Sequence, residues 1–468
     1  MSKNQQILNT VGIKNRVLET VAFLNSLLNK GHGRSIKAKK NILAGFLIRG
    51  GSIIISLFLV PLTIHYINPN QYGIWITLSS IIGWFSFFDI GFGHGLRNRF
   101  AESVAKGDHN QARIYISTTY AILSIIVFVV LVLFFLINPF LNWSSILNAP
   151  INMKGELSLL ALIVFVFFCL QFILQLMTTV LTANQQPAKA SLFPFIGNLL
   201  SALVIWVLTK TTSGNLIYLG IVYSSIPVVV LLLSTIWFYS NKYKAYAPAF
   251  KYIRFNYTKD LMSLGIKFFL LQIAGIVLYQ TSNIIIAQLF GPAEVTPYNI
   301  AYKYLSVITM ITAIIMTPFW SAYTEAWVKK DIEWIKNTFK KLKKIWIGLA
   351  ILTAIMVAFS NVVYRLWVGK EIVVPLILSM TIGAYVIVNA WNVIYCLFFN
   401  GVGKVKLQLY TSILDMILHI PLAIYLGKKI GPAGVILSVV ILTSFNMIWT
   451  VIQFNKIINN RATGIWNQ

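Results

Sequence analysis

The sequence predicts an all-α polytopic membrane protein, with twelve transmembrane helices in two six-helix bundles related by a pseudo-two-fold axis along the membrane normal. Three observations predict it. Apolar runs of about 20 residues, enough to cross a bilayer, recur along the whole chain, and only 11% of the 468 residues are charged while 57% are hydrophobic. Lysine and arginine crowd into alternate connections between those runs. Two landmarks repeat at one offset: Pro69 and Pro292 each separate consecutive runs, and Glu102, Lys106 and Asp108 recur as Glu325, Lys329 and Asp331, every pair 223 residues apart. An even number of spans per half keeps both halves the same way up, a repeat type found in transporters.

Taken in order, residues 1–41 form a basic amino-terminal segment. Val11, Leu18, Val21, Ala22 and Leu28 fall at helical spacing, Gly31, His32 and Gly33 break it, and Arg34, Lys37, Lys39 and Lys40 follow. This reads either as a surface helix with a basic anchor to anionic lipid or as a disordered tail. No cleavable signal peptide is expected, because this segment is polar and the first span is too long for a signal core.

The first span, 42–67, contains Arg49. An arginine at mid-helix costs roughly 2.5–3.5 kcal/mol on insertion, and each Leu, Ile, Phe or Val returns roughly 0.3–0.6, so the span inserts. Arg49, Ser52, Ser56 and Thr63 fall near one face, which predicts a lipid side and a wet side. The other spans are expected at 72–93, 114–137, 157–183, 191–209, 215–240, 261–290, 297–320, 345–368, 373–400, 407–427 and 433–455. The halves are then 42–240 and 261–455, joined by a linker, 241–260, and followed by a tail, 456–468. With these spans, the termini and the connections after even-numbered spans hold 29 of the 38 lysines and arginines. The positive-inside rule puts both termini and the basic loops in the cytoplasm. That asymmetry accounts for the net charge of +26 with no nucleic-acid partner. Cys169 and Cys396 each sit in an apolar run and read as buried free thiols.

Several intramembrane polar groups are candidates for a site. Arg49, Lys267 and Lys303 lie inside spans, where a cation faces a cavity and holds an anionic group or snorkels to the nearer interface. Lys267 and Arg365 fit snorkelling; Arg49, backed by its polar face, fits a cavity. Asp89 lies at about the depth of Arg49 and is a candidate partner for it. Asp415 and His419, four apart on one helix face, suit either a proton relay or a buried packing pair. Uncharged stripes run through Gln171, Gln175, Thr178, Thr182 and Gln185, through Gln272, Tyr279 and Asn283, and through Tyr385, Asn389 and Asn392. Such stripes suit sugar hydroxyls, which need donors and acceptors without net charge. Interhelical hydrogen bonds are the competing use. Gly91, Gly93 and Gly95 form no nucleotide fingerprint, since no strand precedes them. No phosphate-binding loop, HExxH or Cys/His metal spacing occurs, so no cofactor or metal is expected.

The segment DIGFGHGLRNRFAESVAKGDHNQAR and the junction INPNQYGIW, with the two-half layout, resemble the bacterial polysaccharide transporter family, one branch of the superfamily that includes multidrug extruders and the lipid II flippase. The resemblance covers most of residues 42–455. It implies a V-shaped pair of bundles with alternating access, and an O-antigen flippase of the bacterial inner membrane. The substrate would be an undecaprenyl-pyrophosphate-linked oligosaccharide moved to the periplasmic leaflet. It places Arg49 at a cationic first-helix position facing the cavity.

Function follows as an expectation. Arg49 with Lys303 offsets the pyrophosphate charge, and Gln171, Gln175, Gln272, Asn283, Asn389 and Asn392 contact sugar. Asp89, Asp415 and His419 are the candidates for ion coupling. The partners are lipid-linked oligosaccharide and membrane lipid, with a polysaccharide polymerase left open. A cation-coupled drug extruder ranks second, because intramembrane acids are few. A membrane glycosyltransferase, polymerase or ligase ranks third. External connections are short, the largest near 138–156, and leave no room for an external catalytic site.

Overall fold

The structure is a computed structural model that describes residues 33–85, 91–184, 186–316 and 319–467. All regular structure among them is helical. The first half holds α1 (Gly33–Tyr66), α2 (Pro69–Gly83), α3 (Phe92–Ala105), α4 (His109–Ile137), α5 (Trp143–Leu147), α6 (Lys154–Leu174), α7 (Leu176–Ala183), α8 (Pro187–Thr211) and α9 (Leu216–Ser240). The second holds α10 (Thr258–Phe290), α11 (Pro292–Met316), α12 (Phe319–Val328), α13 (Ile332–Ala358), α14 (Ser360–Val368), α15 (Leu376–Val402), α16 (Lys406–Ile430) and α17 (Pro432–Ile458). Nine helices among the described residues are long and apolar enough to cross a membrane, and α13 with α14, bent by 63° at their break, make a tenth. The other two expected spans, 72–93 and 261–290, include residues or side chains outside the described set, so the expected twelve is not reached among the described residues.

The start of α1 differs from expectation. The helix does not begin at 42 but runs 34 residues from Gly33, taking in Arg34, Lys37, Lys39 and Lys40. At 1.5 Å per residue it is about 50 Å long, longer than the hydrocarbon layer. The basic stretch therefore continues the first span, where a separate anchor or a disordered tail was expected. Residues 1–32 lie outside the described residues.

The 223-residue offset is built into the backbone. Asp108 caps α4 through the Gln111 amide at 2.8 Å, and Asp331 caps α13 through the Trp334 amide at 3.0 Å. In both turns the aspartate amide donates to the carbonyl five residues back, Ser103 or Ala326, at 2.9 Å. The residue before each aspartate has positive φ, 76° at Gly107 and 57° at Lys330. Packing repeats as well. In the first half α1 packs on α8, α8 on α9 and α9 on α6; in the second α10 packs on α16, α16 on α17 and α17 on α15.

The halves meet closely at the end carrying the α1–α2 turn. A Cβ at Gly73 would lie 1.8 Å from the Pro292 carbonyl oxygen, so only glycine lets α2 approach α11 this closely. Asn148 donates to the Ala287 carbonyl at 3.0 Å and Gln288 to the Ser145 carbonyl at 3.0 Å. At the opposite end the contacts run through the start of α10. A Cβ at Gly95 would lie 2.0 Å from the Leu261 carbonyl oxygen, and the Arg99 guanidinium pairs with Asp260 and with Glu102 at 2.8 Å. The Lys106 ammonium and then the Arg99 guanidinium hold the Glu102 carboxyl below its ordinary range. Beyond α10, α11 and α14, the second half makes no extended contact with α1–α9 among the described residues.

The linker does not hang free. Its residues 244–257 form three single-turn 3-10 helices laid along α4. Arg113 donates to the Ala247 carbonyl at 2.8 Å, and the Arg254 amide donates to Thr118 at 3.0 Å. Buried Tyr243 accepts from Asn184 at 2.8 Å and Gln186 at 3.0 Å, and burial raises its phenol above the ordinary value.

One bond between the halves answers a proline. Pro61 lies inside α1, has no N–H, and so frees the Leu57 carbonyl four residues earlier. The Trp367 indole, at the end of α14, donates to that carbonyl at 2.9 Å. Trp367→Phe leaves it unpartnered and lowers stability by about 1–3 kcal/mol. In a Pro61→Ala background, where a helix N–H returns, the same change costs markedly less. Thermal unfolding of the four proteins in detergent measures this coupling, and equal costs in both backgrounds would refute it.

Candidate functional site

A cavity of about 370 Å³ lies where α1, α2, α10 and α11 converge. Each helix presents one stripe to it. The stripe on α1 is Ile53, Ser56 and Leu57; on α2 it is Ile76, Ser79 and Ser80; on α10, Gln280 and Asn283. On α11, Asn299, Tyr302, Lys303, Ser306 and Met310 follow i, i+3, i+4, i+7 and i+11, the spacing of a single helical face. Among the described residues the lining has hydroxyls, amides, tyrosines and one ammonium, and no carboxylate.

Lys303 is half-buried in that wall. Arg49 is exposed and precedes Ile53, Ser56 and Leu57 by four, seven and eight residues. It therefore continues the same stripe, about 10 Å along the helix from Ser56. The apolar side of α1, Leu47, Ile54 and Phe58, exposed by 68%, 69% and 55%, lies across the helix axis. Neither Arg49 nor Lys303 has an ion-pair or hydrogen-bond partner among the described residues.

Asn283 also reaches the cavity, but its amide is spent on packing. Its nitrogen donates to Ser80 at 2.9 Å, its oxygen accepts from Asn299 at 2.8 Å, and Ser80 passes its own proton to the Ile76 carbonyl. This relay joins α11, α10 and α2 across the two halves.

The other candidates fall elsewhere. Gln171 is half-buried on α6, and Gln175 is exposed at the α6–α7 break. Asn389 is half-buried on α15, while Asn392 donates to the Thr443 carbonyl of α17 at 2.9 Å. None of these four lines the cavity. Asp415 and His419 share a face of α16, but they bond to different residues of α17. Asp415 accepts from Asn446 at 2.8 Å, whose oxygen is held by the Trp449 indole at 2.7 Å. His419 Nδ1 meets the Ser438 hydroxyl at 2.9 Å. That hydroxyl also lies 2.7 Å from the Val435 carbonyl. Asp89 and Gln185 lie outside the described residues, as do the side chains of Lys267, Gln272 and Tyr279.

Asn299, Ser306, Gln280, Ser79 and Ser80 are lining groups that the sequence reading missed. The spacing of Asn299, Lys303 and Ser306 was visible in the sequence; the partners facing it were not.

A family model described as polysaccharide biosynthesis protein matches residues 38–323, and a second, MatE, matches residues 268–425. The chain is 24% identical over 433 residues to a protein of Salmonella typhimurium named as a candidate O-antigen transporter, covering 88% of this chain and 92% of that one. It is 21% identical over 368 residues to one of Yersinia pseudotuberculosis named as a candidate O-antigen export protein, covering 76% and 81%. Among solved structures, the inward-facing conformation of a multidrug resistance MATE family transporter of the MOP superfamily superposes with a TM-score of 0.72 at 14% identity, covering 90% of this chain and 98% of that one. A MOP superfamily transporter from Pyrococcus furiosus superposes at 0.61 with 15% identity, covering 91% and 97%.

The two sides of α1 are separable in solution. Single cysteines at Ser56 and Lys303 react with a membrane-impermeant thiol reagent in protein reconstituted with both faces accessible. Cysteines at Leu47 and Ile54 stay unreactive. Equal labelling of both sets would refute a wet stripe.

Proposed function

Because the chain belongs to the polysaccharide biosynthesis protein family, the polysaccharide transporter branch of the MOP superfamily, we propose that it is a flippase for a lipid-linked oligosaccharide. The substrate is an undecaprenyl-pyrophosphate-linked repeat unit of O-antigen or a similar polysaccharide. It moves from the cytoplasmic to the periplasmic leaflet by alternating access. One observation carries the reading: two cations, Arg49 and Lys303, stand on the faces that enclose a cavity with no carboxylate among the described residues. Arginine's fork grips a phosphate in two-point fashion and lysine adds a point charge. The hydroxyls and amides beside them suit sugar.

The orientation expected from the basic loops puts the α1–α2 turn outside. The closely packed end of the halves then faces the periplasm, and Arg49 lies on the cytoplasmic side of the cavity, where a pyrophosphate enters. A space of about 370 Å³ is near the small end of ligand pockets. It takes a diphosphate with its first sugar, and a whole repeat unit extends into the cleft beyond Arg49. The polyprenyl tail stays in lipid between the bundles, 42–240 and 261–455. These rock about the closed end to present the site on the other side. An inside-negative potential favours outward passage of an anion by about 2.3 kcal/mol per charge per 100 mV. The relatives are named as transporters, in keeping with a chain that does no covalent chemistry. A polysaccharide polymerase would take the product on the periplasmic side.

The match to MatE over residues 268–425 favours a second reading, a cation-coupled multidrug extruder. A lysine-bearing cavity repels a cationic drug by about 4 kcal/mol at 4 Å with an effective dielectric constant near 20, so this reading ranks lower.

In a deletion strain, the wild-type gene restores surface polysaccharide. Arg49→Ala and Lys303→Ala each lower it about tenfold or more, the scale of one lost charge-assisted contact, and lipid-linked repeat units accumulate on the inner leaflet. Arg49→Lys retains part of the activity. Undiminished polysaccharide with either alanine refutes the assignment, and drug sensitivity alone in the deletion strain favours the extruder.

A further inference from the structure

The two halves treat one equivalent helix face differently. On α4 the face of Arg113, Ser117 and Thr118 is covered by the linker. Arg113 donates to Ala247 and stacks over Tyr252 at 4.3 Å, Ser117 accepts from the Ala249 amide at 3.2 Å, and Thr118 accepts from the Arg254 amide. The 223-residue offset carries these positions to Lys336, Lys340 and Lys341 of α13, with Lys344 between them on the same face. All four are exposed, and none has a hydrogen-bond or ion-pair partner among the described residues. The buried face of α13 (Ile335, Thr338, Phe339 and Leu342) is turned the other way. The described chain after α17 takes a different course. It folds back on its own half, where Gln453 donates to the Trp466 carbonyl at 3.2 Å and Lys456 sits 4.1 Å over the Trp466 ring.

We infer that this uncovered lysine face of α13 is a docking surface for anionic phospholipid headgroups. Four like charges on one face call for an anionic occupant. The amino-terminal segment, with Lys3, Lys14, Arg16 and Lys30 against Glu19, carries the wrong sign. Depth argues for lipid. On the first half, the linker beside Ser117 holds Phe250, exposed by 93%, and further along Phe255, exposed by 54%. Such rings rest at a bilayer interface and not in bulk water. The equivalent level on α13 is that of Lys340. The apolar part of that helix begins right after Lys344, so the lysines stand where headgroup phosphates lie, the geometry of a juxtamembrane basic cluster. The second half is thereby held to the membrane surface by lipid where the first is held by its own linker. The inference does not rest on the transported substrate.

The test uses the full chain reconstituted in phosphatidylcholine with spin-labelled phosphatidylglycerol or spin-labelled phosphatidylcholine as probe. The wild type selects the anionic probe about fivefold, the effect of one lysine at a charged surface, and high salt reduces the preference. The variant with Lys336, Lys340, Lys341 and Lys344 changed to Gln falls to near parity, and the same four changed to Arg keep the preference. A control with Lys189, Lys242, Lys244 and Lys259 changed to Gln loses the same charge from other exposed sites and keeps it too. Unchanged selectivity in the α13 glutamine variant overturns the inference, as does an equal loss in the control. So does a photo-crosslinker at Lys340 that captures only a soluble acidic protein in cells.

Discussion

Inside a bilayer neither a backbone carbonyl nor a charge can turn to bulk water, and that constraint organises this molecule. Each unsatisfied group costs several kcal/mol there, so every departure from a plain apolar helix needs a partner supplied by the fold. Pro61 strips the Leu57 carbonyl of its helical donor, and a tryptophan 310 residues along the chain replaces it. Arg49 and Lys303 have no carboxylate partner among the described residues. They are placed on the stripes of α1 and α11 that bound the cavity. The same demand shapes the Asn299–Asn283–Ser80 relay, which joins three helices of two halves through hydrogen-bonded amide and hydroxyl groups.

The repeat supplies two copies of one scaffold, and the copies diverge in what covers them. The turn before α4 and the turn before α13 agree hydrogen bond for hydrogen bond. A glycine and a lysine share the left-handed position within them. Around that shared frame, one half gains a linker that straps α4 and fastens the start of α10 to α3. The other leaves the matching face of α13 to solvent and lipid. Contacts at backbone distance hold the halves together at the α1–α2 end and, through the start of α10, at the opposite end, while α12, α13 and α15–α17 make no extended contact with α1–α9 among the described residues.

How much could be read in advance varied by residue and for identifiable reasons. That Arg49 shares a face of α1 with Ser52 and Ser56 is legible from helical spacing alone, and so is the place of Lys303 inside an apolar run. The stripe that Asn299 and Ser306 make with Lys303 on the cavity wall needs the facing helices to be recognised. The stripes through Gln171 and Gln175 and through Asn389 and Asn392 were real, yet a polar stripe says only that a face is polar. Asn392 spends its amide on α17, and Asp415 and His419 are each bound to that helix and not to one another. The helix start at Gly33 escaped because a glycine-flanked basic run looks like a break when nothing local continues the helix.

Composition and periodicity alone determined that this chain is helical, crosses a membrane many times, repeats itself at one offset and keeps its positive charge in alternate loops. Each of those properties is local or additive along the sequence. Tertiary structure decided which polar stripe faces the cavity and which faces another helix. It also decided that an indole from α14 completes α1, and that one of two equivalent faces is covered. Helical spacing tells which side chains share a side, but the neighbour opposite that side comes from hundreds of residues away, and only the folded packing chooses it.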